Sequence, residues 1–175
     1  KYNVSSINEF IDNSTFHRTL GDNLDKKKID SITRVIVCSG KIYFDLVEER
    51  EKNKNENVYI IRLEQLYPFP YDPLTLELEQ FINVEIVWCQ EEPKNMGAWG
   101  FVNSRIRNLL KRLKLKNKNI YYIGRRASAT PATGSYDRHL LNQKNIVRLA
   151  LEAKIEEVSE LWGGVSLRQY KLPIE

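Results

Sequence analysis

Glu91 and Glu92 are adjacent carboxylates at the point where an apolar run, Val87-Trp88-Cys89, gives way to Gln90, two acids and Pro93, followed by Asn95-Met96-Gly97-Ala98-Trp99. Neighbouring carboxylates at the C-terminal end of a buried strand can take separate pKa values and divide acid and base roles between them. That chemistry needs a partner nucleophile, and the sequence offers none. Neighbours in an extended segment point to opposite sides, so the alternative is that one glutamate caps the next helix or pairs with an arginine while the other faces outward. The structural or interface role carries more weight, and it makes Gln90, Glu91, Glu92 and Trp99 candidate interface residues.

A second candidate is Cys38-Ser39-Gly40-Lys41, which joins a strand to a helix N-terminus. Free backbone N–H groups and the helix dipole favour an anion there, and Lys41 adds a charge. Arg125-Arg126 ends a later strand beside a Ser/Thr loop and could hold a phosphate or carboxylate through forked hydrogen bonds. Ser39, Gly40, Lys41, Arg125 and Arg126 are therefore the candidate anion or regulator site. Against it, the chain has neither the G-x-x-x-x-G-K-[ST] of a phosphate loop nor the G-x-G-x-x-G of a dinucleotide fold. An ordinary tight turn is the heavier reading at Lys41, and an ion pair with the glutamates serves the arginines equally well. His17 and His139 lie far apart without metal spacing, and the two cysteines form no C-x-x-C, so no metal site is expected. The aromatic residues of Tyr67-Pro68-Phe69-Pro70, with Trp88 and Trp99, are read as core or interface packing rather than a stacking platform for nucleic acid.

The elements that must position these groups alternate. Val35-Ile36-Val37-Cys38 is a short continuous apolar run, as in a strand covered on both faces. Tyr43, Leu46, Val47 and Arg50 then share one helical face. Residues 58–63 form the next strand, 74–81 a helix and 84–89 the third strand. Phe101, Ile106, Leu109, Leu110 and Leu113 mark a further helix, 120–123 the fourth strand, and Leu140, Val147, Ala150 and Leu151 a long last helix. Four such alternations predict an α/β fold of three layers, a mostly parallel sheet with helices on both faces. Before this core, Ser6 and Glu9 stand in capping-box register for a short helix that ends before Asn13, and 21–33 carry no sustained period and serve as a connector. The expected organisation is a leading helix and connector at 1–33, an α/β domain at 34–152, and an extension at 153–175 whose Trp162, Leu167, Tyr170 and Leu172 either dock on the body or stay mobile.

Composition bounds the function classes. With 175 residues, 42% hydrophobic and 29% charged, the chain has the balance of one folded domain. It has no apolar run of the roughly 20 residues that span a bilayer, so no membrane partner is expected, and no nucleic-acid partner either. Two cysteines in separate apolar runs fit reduced core thiols and a reducing compartment. The net charge of +4 is unevenly placed: 105–118 holds seven Lys or Arg and no acid, a face that is solvated or meets an acidic partner. The start Lys1-Tyr2-Asn3-Val4, with no signal region and no initiator Met, is expected of a segment of a longer chain.

Several strings occur in order across about 34–152: Cys-Ser-Gly-Lys-Ile-Tyr, Arg-Leu-Glu-Gln-Leu-Tyr-Pro-Phe-Pro, Trp-Cys-Gln-Glu-Glu-Pro, Gly-Ala-Trp and Arg-Arg-Ala-Ser-Ala-Thr-Pro. Together they resemble the C-terminal region of 2-oxoglutarate dehydrogenase, the thiamine-dependent component, and Ser5-Ser6-Ile7-Asn8-Glu9-Phe10 resembles the stretch leading into it. The resemblance implies a transketolase C-terminal type of fold. It implies an enzyme that decarboxylates 2-oxoglutarate on thiamine diphosphate with Mg and passes succinyl to lipoyl-lysine of the dihydrolipoyl succinyltransferase component, in the citric-acid cycle. It further implies that thiamine diphosphate and Mg bind in upstream domains of the same polypeptide, outside these residues, and that the enzyme is a homodimer of bacterial cytoplasm or mitochondrial matrix. This region is then expected to assemble rather than catalyse. The alternatives are a regulatory module for acetyl-CoA or AMP, or the equivalent domain of another thiamine-dependent 2-oxoacid dehydrogenase. Gly21-Asp22-Asn23 only brushes the family's diphosphate motif and lacks its preceding strand.

Overall fold

In the computed structural model, residues 7–11, 14–24 and 26–154 are described. Five strands form one sheet in the order β1-β3-β2-β4-β5, where β1 is Thr19–Leu20, β2 Arg34–Cys38, β3 Val58–Leu63, β4 Glu85–Pro93 and β5 Ile120–Arg125. The four core strands are parallel, and β1 pairs antiparallel at the edge against β3. The helices are α1 (Ile42–Lys52), α2 (Tyr71–Leu78), α3 (Trp99–Arg112) and α4 (Tyr136–Glu152).

Strand alternation sorts the side chains into two cores. Val35, Val37, Ile61, Ile86 and Trp88 face α2 and α3 through Leu74, Leu78, Val102, Ile106 and Leu110. Ile36, Cys38, Ile60, Val87, Cys89 and Ile123 face the other way, against Ile42 and Leu46 of α1 and Ile146, Val147 and Ala150 of α4. The result is the expected three-layer α/β fold, and the unbroken apolar strands follow from coverage on both faces. Two buried arginines fasten the layers. Arg34 bonds Glu85 Oε2 through Nε (3.0 Å) and Nη2 (2.7 Å), and donates to the carbonyls of Ala150 (3.0 Å) and Ala153 beyond α4. Arg50 of α1 pairs with Asp22, whose Oδ2 also accepts from Ile60 N–H at 2.9 Å, so Asp22 secures the leading segment to the sheet.

Several boundaries differ from the sequence expectation. The stretch 21–33 is not featureless: a 3-10 helix runs Lys26–Ser31, and the two-residue β1 just before it was not anticipated. The predicted first helix is a 3-10 turn, Ile7–Phe10, and its proposed cap Ser6 lies outside the described residues. α2 starts and ends three residues early. Pro73 sits in its first turn, where a missing N–H costs little, and Gln80 Nε2 donates back to Glu77 O at 2.7 Å, satisfying a terminal carbonyl. The largest correction concerns 90–93, expected as a junction. These residues continue β4, which shifts register between Cys89 and Pro93 and still pairs Pro93 with Arg125. Residues 155–175, with Trp162, Leu167, Tyr170 and Leu172, lie outside the described residues. Among the described residues no helix is long and apolar enough to cross a membrane.

Candidate functional site

The chain leaves β2 toward β3 on one side and later fills β4 and β5 on the other, so the strand order reverses between β2 and β4. Such switch points open a crevice beyond the carboxyl ends of the strands. A cavity of about 420 Å³ lies there, walled by Ser39 and Gly40 after β2, Tyr67 after β3, Gln90 and Glu92 of β4, Gly97 in the turn before α3 and Phe101 in its first turn.

Gln90 organises the crevice from inside the protein. It is 3% exposed. Its Oε1 accepts from Trp88 Nε1 at 2.9 Å and from Trp99 N–H at 3.0 Å. Its Nε2 donates to the carbonyls of Glu92 (3.2 Å), Pro93 (3.1 Å) and Met96 (2.9 Å). One amide thus satisfies the first N–H of α3, which has no side-chain cap, and draws the 92–96 turn back over the strand end. Gly97 closes that turn at φ +66°, and a β-carbon there would stand 3.0 Å from Glu92 Cβ and 3.1 Å from Gln90 Nε2. Trp99 is buried against Tyr122 of β5, ring centroids 5.1 Å apart, and the Tyr122 hydroxyl donates to Arg125 O at 2.8 Å. Burial holds the Tyr122 phenol well above its ordinary pKa.

The two carboxylates diverge. Glu91 turns toward α1 and α4, where Lys41 Nζ is 3.3 Å from its Oε2 and 3.1 Å from Asp45 Oδ2. Gln143 Nε2 completes this set, donating to Asp45 Oδ2 at 2.6 Å and Glu91 Oε2 at 3.1 Å. Partial burial alone would lower the Lys41 pKa, but the hydrogen bonds and charges of Asp45 and Glu91 outweigh it and hold it above the usual value. Glu91 therefore finds a lysine and a glutamine, where the sequence offers a helix cap or an arginine as its partner. Glu92 is exposed and borders the cavity.

The five candidate anion residues do not converge. Ser39 and Gly40 line the cavity, while Lys41 faces the two carboxylates just described. Arg125 stands on β5, separated from β2 by β4, and its Nη1 donates to Pro131 O at 2.8 Å; Arg126 is exposed. Of the candidate interface residues, Gln90 and Trp99 are buried and act behind the surface, Glu91 is partly buried and Glu92 is open to solvent.

Sequence reasoning missed Asn95, which joins two loops through a reciprocal pair: Nδ2 to Ser128 O at 2.9 Å, and Ser128 N–H to Oδ1 at 3.0 Å. It also missed Arg62, stacked 4.5 Å from the Tyr43 ring centroid, with Nε 2.6 Å from Glu64 Oε1 at an angle that makes an ion pair but no hydrogen bond. An Asn in a tight turn and an Arg closing an apolar strand were the only local signals.

Among the described residues no group of three or more His, Cys, Asp or Glu could hold a metal ion. His17 borders a groove beside Arg62, and His139 borders another between α1 and α4; neither lines the cavity. Cys38 and Cys89 are free and buried; desolvation raises the first to about 12 and the second well above the ordinary thiol value, which keeps both as inert thiols.

The sequence signature of the 2-oxoglutarate dehydrogenase C-terminal family matches residues 4–151. Over 145 residues, 78% of this chain, the sequence is 47% identical to the 2-oxoglutarate dehydrogenase E1 component of Brucella anthropi, 48% to that of Brucella abortus strain S19 and 46% to that of Brucella ovis. In each case the match covers 14% of the relative, so the chain spans a small part of the length of the curated proteins it resembles.

Proposed function

The chain belongs to the 2-oxoglutarate dehydrogenase C-terminal family, and on that footing we propose that it is the assembly domain of a thiamine-dependent 2-oxoglutarate dehydrogenase, packing on upstream cofactor domains of the same polypeptide and supporting a homodimer. In this proposal the full enzyme decarboxylates 2-oxoglutarate and delivers succinyl to the lipoyl-lysine of a dihydrolipoyl succinyltransferase. Thiamine diphosphate and Mg bind outside these residues.

The observation that carries the reading is the internal use of the family motif. Gln90 makes five hydrogen bonds within the domain, and Glu91 is held by Lys41 and Gln143. Such a motif builds a rigid strand-end platform on which Tyr67, 80% exposed and edge-on to Phe101 at 6.5 Å, faces outward to a neighbour. The donor set does not fit a magnesium diphosphate: the carboxylate of Asp22, in the string closest to a diphosphate motif, is buried against Arg50 and Ile60 N–H.

Calorimetry of the 175-residue chain with thiamine diphosphate and Mg tests the assignment. No heat of binding is expected, and saturable binding would overturn it. A second reading, a regulatory module for acetyl-CoA or AMP, is favoured by one feature, the cavity bordered by Ser39 and Gly40 at the start of α1. Titration with either nucleotide should shift Ser39 and Gly40 amide resonances on that reading, and unchanged spectra at millimolar ligand would exclude it.

A further inference from the structure

The 105–118 segment holds seven of the chain's 27 basic residues and none of its 23 acids, so the remaining 20 basic residues leave the rest of the chain at a net −3. The structure shows where this charge stands. Arg105 turns back, stacking 3.6 Å from the Phe101 ring centroid and donating to Phe101 O at 2.7 Å. The other six, Arg107, Lys111, Arg112, Lys114, Lys116 and Lys118, are exposed. Among the described residues, none of the six lies within ion-pair distance of a carboxylate.

Helix capping explains part of this. Lys111 and Arg112 in the last turn of α3 complement its dipole, and Lys118 Nζ donates to Lys111 O at 3.2 Å. Arg107, Lys114 and Lys116 remain. Soluble surfaces ordinarily intersperse signs, as α1 and its N-cap do with Lys41, Asp45, Glu48 and Lys52. An unmixed strip costs self-repulsion that an oppositely charged partner relieves.

The neighbourhood selects the kind of partner. Residues 103–119 contain no aromatic ring on which a base could stack. The apolar residues of the strip, Ile106, Leu109, Leu110, Leu113 and Leu115, are all buried, so none can enter a lipid surface. Beside the strip stands Ile82, 63% exposed, whose carbonyl accepts from Lys116 N–H at 2.9 Å. An exposed aliphatic residue joined through its backbone to a cationic turn matches the plan of a protein interface, an apolar group beside a charged edge.

We propose that the C-terminal half of α3, the 113–118 turn and Ile82 form a docking surface for an acidic protein face that presents an aliphatic side chain. α3 starts at the strand ends and runs back along the sheet, so this surface lies toward the opposite end of the domain from the cavity.

The test uses the whole chain, isotope-labelled, titrated at low ionic strength with two acidic heptapeptides, EEELEEE and EEESEEE. Shifts confined to 107–118 and Ile82 are expected; shifts centred elsewhere, or none, overturn the proposal. Reversing Arg107, Lys111, Lys114 and Lys118 to Glu should weaken binding by about tenfold or more, since each reversal removes an exposed attractive pair and adds a repulsive one. A control reversing Lys54, Arg138, Lys144 and Lys154 makes the same change in net charge, and equal weakening by the control overturns the proposal. The leucine peptide should bind about fivefold tighter than the serine peptide, as partial burial of an aliphatic side chain implies. Ile82→Ser should abolish that preference, and its persistence overturns the apolar part. Duplex DNA or anionic vesicles binding at physiological salt where neither peptide does would assign the surface to another class of partner and refute this one.

Discussion

Replacing Gln90 by Leu keeps the volume of the side chain nearly constant and removes all five hydrogen bonds. Two of the orphaned groups, Trp88 Nε1–H and Trp99 N–H, are buried, and an unsatisfied buried donor costs about 1–3 kcal/mol. The carbonyls of Glu92 and Met96 lie closer to solvent and find water more readily. Allowing for non-additivity within one network, Gln90→Leu should destabilise the domain by about 3 kcal/mol, or about 6–12 °C in Tm for a domain of this size. Urea titration followed by tryptophan fluorescence reports the loss at the site, because Trp88 and Trp99 both bond the amide. Far-UV circular dichroism reports the global transition. Gln90→Glu sharpens the test. A carboxylate there faces the carbonyls of Glu92, Pro93 and Met96 and has no proton to donate, so its folded pKa rises above the usual value of about 4.3. The folded state then holds a proton that the unfolded state releases, and the variant loses stability as pH climbs through the folded pKa. A Gln90→Leu stability within about 0.5 kcal/mol of the parent, the size of an ordinary surface change, would show that the amide network does not hold the strand end. So would a Gln90→Glu penalty that does not change with pH.

Three further outcomes follow from the same geometry. Asp22→Ala leaves Arg50 buried without its counter-ion and should cost about 3–5 kcal/mol by denaturant titration; a near-neutral result would detach the leading segment from the core. Gly97→Ala meets both a positive φ and the contacts with Glu92 and Gln90, whereas Gly40→Ala at φ +76° has nothing within 4 Å. The first should therefore cost more than the second, which carries backbone strain of about 1 kcal/mol alone. Cys38 and Cys89 keep their protons in the folded state while the unfolded chain releases them from about pH 9. Stability should fall by about 1.4 kcal/mol per thiol per pH unit above that point, and native protein at neutral pH should resist iodoacetamide until urea exposes both thiols.

The sheet was legible because strands covered on both faces are written as unbroken apolar runs, and Val58–Leu63 matches its predicted span residue for residue. The long helices were legible through period and length. Short elements were not: β1 has two residues and owes its pairing to β3, and the sequence of the 3-10 turn, Lys26–Ser31, has a single apolar residue and so no period to announce it. At the crevice, the sequence pointed to the right residues but not to their partners. Gln90-Glu91-Glu92-Pro93 has the polarity of a loop, yet it lies in β4, because the Gln90 side chain supplies the hydrogen bonds that a loop would take from water. Lys41 and Glu91 are fifty residues apart and meet only once β2 and β4 are adjacent, a juxtaposition that no local pattern encodes.

Complementation decides whether these residues, as proposed, build a 2-oxoglutarate dehydrogenase without carrying out its chemistry. A Brucella E1 component lacking the region matched here is prepared, and carbon dioxide release from 2-oxoglutarate with thiamine diphosphate and Mg is measured for it, for this chain, and for the two together. No turnover is expected from the chain alone, and dimer formation with activity is expected in the mixture. Decarboxylation by the chain alone, or an E1 component that stays dimeric and fully active without the region, would overturn the assembly role.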